Sequence, residues 1–220
     1  MTQPISAAHT SLRTAGIMVL FTVTFTTVMS ATYDITRPTI DASAQEGKLR
    51  LISEVLAPAS YDNALLEDFI IIGPTPQLGL DEGGRIYRAR RAGEPAALVL
   101  EAVAPDGYSG RIQLVVAVNA DGRLSGVRVV GHKETPGLGD YIDPRKDRNK
   151  DKPWIAQFAG ISLDEVGAER WKVGKDGGTF AYRVGATISA RAVTNATRRA
   201  LEFAGSHRDA LYAAQSGAAL

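Results

Sequence analysis

Cysteine is absent from the 220-residue chain. Its absence excludes disulfides, thiolate-held iron–sulfur clusters, thioether-linked cofactors and thiol nucleophiles, and it suits an oxidising compartment. Histidine is scarce. His9, His132 and His207 are too few for a multi-histidine metal or haem site, and no metal is expected. Charge of one sign is also lacking, since 25 Lys and Arg face 24 Asp and Glu for a net charge of +1. Nothing in that balance points to a nucleic-acid partner. No internal repeat is visible. What remains is ordinary for a folded protein with a core, 45% hydrophobic and 22% charged, and the length suits one principal domain with an appendage.

The appendage is N-terminal. From Ala15 to Tyr33 no residue is charged, and a membrane-spanning helix needs roughly 20 apolar residues. Its threonines can bond back to their own helix. Arg13 precedes the run and no acid occurs before Asp34. The positive-inside rule then predicts a cytoplasmic segment 1–14, a transmembrane helix 15–33 and an extracytoplasmic domain 34–220. Length ranks this anchor ahead of a cleaved signal peptide, whose apolar core is about 7–15 residues, and ahead of a buried soluble helix.

Beyond the span, Leu49, Leu51, Ile52, Val55 and Leu56 predict a helix ending at Ala57-Pro58, and a short helix is expected around Asn63–Phe69. Gly73–Gly84 reads as a loop. Ile86–Arg91 and Pro95–Val103 read as strands, the second nearly all apolar and so buried. Arg111–Asn119 and Leu124–Val130 alternate around Asp121-Gly122, which predicts a hairpin. The mixed-sign run Tyr141–Lys152 reads as a solvated loop. Trp154–Phe158 suits a short helix, and Trp171–Lys175 and Thr179–Val184 suit strands. The expected class is α+β, an antiparallel sheet with packed helices.

Two segments carry chemistry. In RVGATISARAVTNATRRAL, residues 183–201, the residues Ala190, Ala192, Val193, Ala196, Ala200 and Leu201 form an apolar stripe at helical spacing. Ser189 is a candidate cap, and Arg198 and Arg199 favour the C-terminal half. Thr187 then sits beside a helix N-terminus, where free N–H groups attract a phosphate. The ordinary alternative is a turn and a cap. The second segment, HKETPGLGD, residues 132–140, combines Pro136 with Gly137 and Gly139 and predicts a shaped loop with exposed N–H groups. His132, Glu134 and Thr135 add polar groups suited to a planar heterocycle, and a charged surface turn is the alternative.

APDGYSGRIQLVVAV and GRLSGVRVVGHKETPGLGD, followed downstream by VGATISARAV, resemble the FMN-binding domain family. That domain occurs in the G subunit of the Rnf electron-transport complex and in the C subunit of the sodium-pumping NADH:quinone reductase. The single span, the length and the motif spacing are most similar to the Rnf G subunit. The resemblance implies FMN joined through its phosphate to Thr187 by a flavin transferase that uses FAD and Mg²⁺ outside the cytoplasmic membrane. Gly185 lets the backbone turn and Ala186 leaves room for the ligand, and Gly185, Ala186 and Ser189 are expected among the cofactor-binding residues. Glu134, Thr135, Gly137, Leu138 and Gly139 are implied as flavin contacts. His132 is either a further contact or a structural histidine. Trp154 and Tyr182 are read as core before ring partners, and Tyr108 as a structural turn residue. Two positions depart from the family pattern: Val184 replaces a Ser or Thr, and Ala181 replaces an Asp.

The function so implied is an electron carrier in the inner membrane. It is single-pass, with its main domain on the periplasmic side, and is one relay among the subunits of an ion-translocating complex rather than a stand-alone catalyst. The alternative is an unflavinylated, membrane-anchored scaffold within such a complex. A hydrolase fails on inventory, with no cysteine and no nucleophile–base pair beyond His132 and scattered serines.

Overall fold

The computed structural model of the chain describes residues 7–220. It divides into two compact units, Met1–Gly47 and Lys48–Leu220. Helix α1 spans Ala7–Ser53. Within it Thr10–Arg37 is long and apolar enough to cross a membrane. Leu20, Phe21 and Phe25 there are exposed. The hydroxyls of Thr22, Thr27 and Thr32 donate to the carbonyls of Met18, Val23 and Val28 at 2.8–2.9 Å. These bonds satisfy the hydroxyls within the helix, so threonine is tolerated where water is absent.

The second unit is built on five antiparallel strands, β1 (Phe69–Ile72), β2 (Gly84–Arg91), β3 (Glu94–Gly107), β4 (Gly110–Asn119) and β5 (Leu124–Gly131), in sequential order. Tight turns set the register. Arg91 pairs with Glu94 across Ala92 and Gly93, both at positive φ, the geometry that matches strand twist in a two-residue hairpin. Gly107 pairs with Gly110 across Tyr108-Ser109. The Asp121-Gly122 turn is closed by the Gly122 N–H on the Asn119 carbonyl at 2.9 Å. Residues Ala218 and Leu220 bond the Ile71 backbone at 2.9 Å and so cover the β1 edge.

Both faces of the sheet are buried, which explains the nearly continuous apolar run of β3. One face, with Leu98, Leu100, Ala102, Ile112, Leu114 and Val116, packs on helix α3 (Thr187–Ala213). The other, with Tyr87, Ala89, Ala97, Val99 and Ala117, packs on Ile52, Val55, Leu56 and Leu65. The predicted stripe of α3 is buried throughout. Its alanines bring the helix close to the sheet, so the start of α3 is held firmly. An additional short helix, α2 (Leu163–Val166), is capped by the Ser162 hydroxyl, which accepts from the Glu165 N–H at 3.3 Å.

Four expectations are corrected. No helix forms over Asn63–Phe69. The Asn63 side chain takes the Arg90 N–H and the Arg88 carbonyl at 2.9 Å each, which ties the segment to β2 instead. Trp171–Lys175 and Thr179–Val184 are not strands and share one bridge, Val173 with Phe180. A hairpin is prevented by a loop folded tightly on itself, in which a Cβ at Gly178 would lie 2.0 Å from the Lys172 carbonyl oxygen. The run Tyr141–Lys152 is not simply solvated, because Tyr141, Ile142, Asp143 and Asp147 are buried. Finally, α3 begins at Thr187 with Ala186 as its N-cap residue, so Ser189 lies inside the first turn and does not cap it.

Candidate functional site

The loop after β5 folds around one buried carboxylate. Glu134 is 3% exposed. Its Oε1 accepts the Ser109 N–H of the β3–β4 turn at 3.0 Å, and its Oε2 accepts the Ser189 hydroxyl of α3. A carboxylate removed from water needs such donors, and here it draws them from two elements distant in sequence. Its own N–H donates to Nδ1 of His132 at 3.1 Å. That bond fixes Nδ1 as the acceptor nitrogen, and Nε2 lies 4.0 Å from Asp143. The bend past Pro136 is closed by N–H groups of Leu138 and Gly139 on the Thr135 carbonyl, at 3.1 and 3.0 Å. Gly139 cannot carry a side chain freely, since a Cβ would lie 2.8 Å from Ser189 Oγ.

The segment before α3 is pinned from below. The Tyr141 hydroxyl donates to the Ala186 carbonyl and accepts from the Arg183 N–H, each at 3.2 Å. The Arg183 guanidinium lies 4.4 Å over the Tyr141 ring and pairs with buried Asp147. Trp154 Nε1 donates to the Ala181 carbonyl at 2.6 Å, and Gln157 accepts the Ala181 N–H at 2.8 Å. Gly185 takes φ +88, a left-handed conformation that favours glycine and aims the chain into the helix.

Local charge follows from these contacts. Burial pushes the Asp147 carboxyl up. The Trp154 and Asn149 N–H groups and the Arg183 guanidinium outweigh it and hold the carboxyl below the usual range. Asp143 behaves alike, with burial overcome by Arg145. Burial raises the Tyr141 hydroxyl, so it remains a neutral donor.

Glu134, Thr135, Leu138, Gly139, Gly185, Ala186 and Ser189 line one cavity of about 120 Å³, together with Tyr108 and Ile188. Two motifs some 50 residues apart in sequence (Glu134 to Ser189 is a separation of 55) therefore form one site. Gly137 shapes the loop at φ +75 without lining the cavity, and His132 lines a neighbouring hollow with Glu134, Asp140 and Asp143 rather than this cavity. Thr187 is 8% exposed at the first position of α3. Its hydroxyl makes no hydrogen bond among the described residues. No side chain caps α3 and no acid lies in its first turn, so the first-turn N–H groups retain their capacity for an anion.

The rim is apolar and open. Tyr108 is 66% exposed, Leu138 47%, Val184 87% and Ile188 43%. The sequence reads Tyr108 as a structural turn residue, and Ile188 stands out only in the structure. The available signals were a two-residue turn that forces Tyr108 outward, and the position of Ile188 off the apolar stripe of α3. Trp154 belongs to the core as expected, and Tyr182 is half-buried against it. Trp154 meets Tyr141 and Phe158 edge to face at 5.5 and 5.4 Å, and Tyr182 packs on the same cluster. Larger hollows, about 310 Å³ beneath Lys48–Ile52 and 420 Å³ beside the β4–β5 turn, bring no comparable set of groups together.

Comparison with known proteins adds two kinds of match. The FMN-binding domain family matches residues 107–202, and the RnfG N-terminal region matches residues 1–55. Proteins named as the G subunit of the ion-translocating oxidoreductase complex are similar along nearly the whole chain. The one from Pseudomonas aeruginosa is 42% identical over 94% of both chains, that from Pseudoalteromonas atlantica 40% over 91% of both, and that from Vibrio cholerae 36% over 92% of this chain and 95% of its own.

Proposed function

The chain belongs to the family of G subunits of the ion-translocating oxidoreductase complex and contains an FMN-binding domain, and from that premise we propose that it is a membrane-anchored electron carrier with FMN joined through its phosphate to Thr187. The cavity and its rim support this reading most directly. An uncapped helix start with an unengaged threonine hydroxyl adjoins a cluster of exposed apolar side chains. Few other sites on a soluble surface justify such a cluster.

The residues fit the group. Ligand pockets usually measure about 300–1,000 Å³, so a 120 Å³ cavity accepts part of a flavin. The remainder would rest on Tyr108, Leu138, Val184 and Ile188. The N–H groups of the first turn of α3 would meet the phosphate, and Thr135 and Gly139 would border the ring. Bound FMN supplies electron transfer; the chain binds it, orients it and leaves an edge open to neighbours. Arg183 and Tyr141 hold the approach to Thr187 and touch no reacting atom.

Attachment calls for a flavin transferase drawing on FAD, so residues 34–220 would lie on the periplasmic side of the inner membrane and segment 1–14 in the cytoplasm. The partners are the other subunits of an ion-translocating complex. Ala181 and Val184, where the family pattern differs, do not disturb the turn. Ala181 is held through its backbone, and Val184 faces solvent.

The test is intact mass of the full-length protein from its own membrane, with fragmentation of the peptide bearing Thr187. The expected result is an added FMN less water on Thr187, lost in Thr187→Ala while the fold persists. An unmodified mass with the transferase present would favour the scaffold alternative.

A further inference from the structure

Glu134 is buried, ionisable and unpaired. No cation bridges it among the described residues, His132 Nε2 faces Asp143 instead, and its two oxygens are held by neutral donors, the Ser109 N–H and the Ser189 hydroxyl. A buried carboxylate without a counter-ion is costly unless something offsets it. The offset is the first turn of α3, where Ser189 stands and where the helix dipole favours negative charge. The carboxylate also lines the cavity.

We propose, on the basis of the function argued above, that Glu134 is a positioning residue with an electrostatic task. It fixes the β3–β4 turn against α3, and its buried charge holds the reduction potential of a flavin in this cavity low. A fixed negative charge beside the cavity disfavours added electron density there, and the water-poor setting weakens screening. The task is electrostatic and separate from any contact with the flavin, and each oxygen already accepts one protein donor.

Two substitutions separate charge from packing. Glu134→Gln and Ser189→Ala both break the Glu134–Ser189 bond, but only the first removes the charge. The experiment loads the full chain with flavin by co-expression with the transferase, then measures flavin content, thermal unfolding and the reduction potential. The expected result is a higher potential in Glu134→Gln, by a tenfold or greater change in the oxidised-to-reduced ratio, about 30 mV for a two-electron couple. Ser189 lines the same cavity but Ser189→Ala keeps the charge, so its shift should be less than half of that in Glu134→Gln. Equal shifts in both, no shift in Glu134→Gln, or loss of flavin from a folded Glu134→Gln chain would overturn the inference. A wild type that never takes flavin removes the functional reading and this one with it.

If Glu134→Gln does not fold, the double variant Glu134→Met/Ser189→Ala removes the charge together with the hydroxyl it would strand, since replacing both partners of a buried bond costs less than removing one. Its potential should exceed that of Ser189→Ala by a tenfold or greater change in the oxidised-to-reduced ratio, and equal potentials in the two would overturn the inference.

Discussion

The Tyr141 hydroxyl donates to the Ala186 carbonyl at 3.2 Å, immediately before Thr187. Through this bond the segment after β5 fixes the direction in which the chain enters α3. Tyr141→Phe keeps the ring under Arg183 but takes one donor from the Ala186 carbonyl and leaves the half-buried Arg183 N–H without its acceptor. Stability should fall by about 1–3 kcal/mol, read by chemical denaturation, and flavin incorporation should drop in parallel.

Asp147 makes stability depend on acid. Its folded carboxyl is held below the ordinary value of 3.8. A lowered carboxylate contributes stability that is present above the unfolded value and is lost as pH falls through the folded one. Asp147→Asn should therefore cost most at neutral pH, with the gap to wild type closing below about pH 4. Melting temperatures across pH 3–7 check this, and a gap that widens in acid would contradict the assigned direction.

Arg88 is 2% exposed and joins Asp68 to the carbonyls of Leu211 and Ala214 at the end of α3. Removing one partner of a buried pair strands the other. Arg88→Met should cost about 3–5 kcal/mol in denaturant unfolding. Hydrogen exchange should locate early opening in the last turns of α3.

Gly139→Ala tests the narrowness of the site. Its Cβ would meet Ser189 Oγ at 2.8 Å and Glu134 Oε2 at 3.1 Å. The expected cost is about 1–3 kcal/mol of overpacking, together with weaker flavin fluorescence quenching and slower incorporation. Gly137→Ala, with open space around it but φ +75, should cost stability through backbone strain and leave the Glu134–Ser189 contact intact.

The sequence was legible wherever the signal was local. Strands β4 and β5 alternate around Asp121-Gly122, and the buried stripe of α3 recurs at helical spacing. It misled where the deciding partner was remote. Asp147 reads as solvated because two of its partners, Arg183 and the Trp154 N–H, lie outside its loop. Ser189 reads as a cap because its true acceptor, Glu134, lies in another motif. The start of α3 at Thr187 was hidden by Ala186, which has no capping side chain. Asn63–Phe69 reads as helix until β2 claims the Asn63 amide.

The two faces of the sheet are closed by opposite ends of the chain, residues Ile52–Leu65 on one and α3 on the other, while residues 218–220 seal the β1 edge. During synthesis the strands emerge well before the helix that covers them, so a half-clad sheet exists until the C-terminal segment arrives. Such intermediates expose apolar surface and invite aggregation. Thr187 opens the element that ends this interval, so the cavity between the β5 loop and the start of α3 is completed only when the fold is.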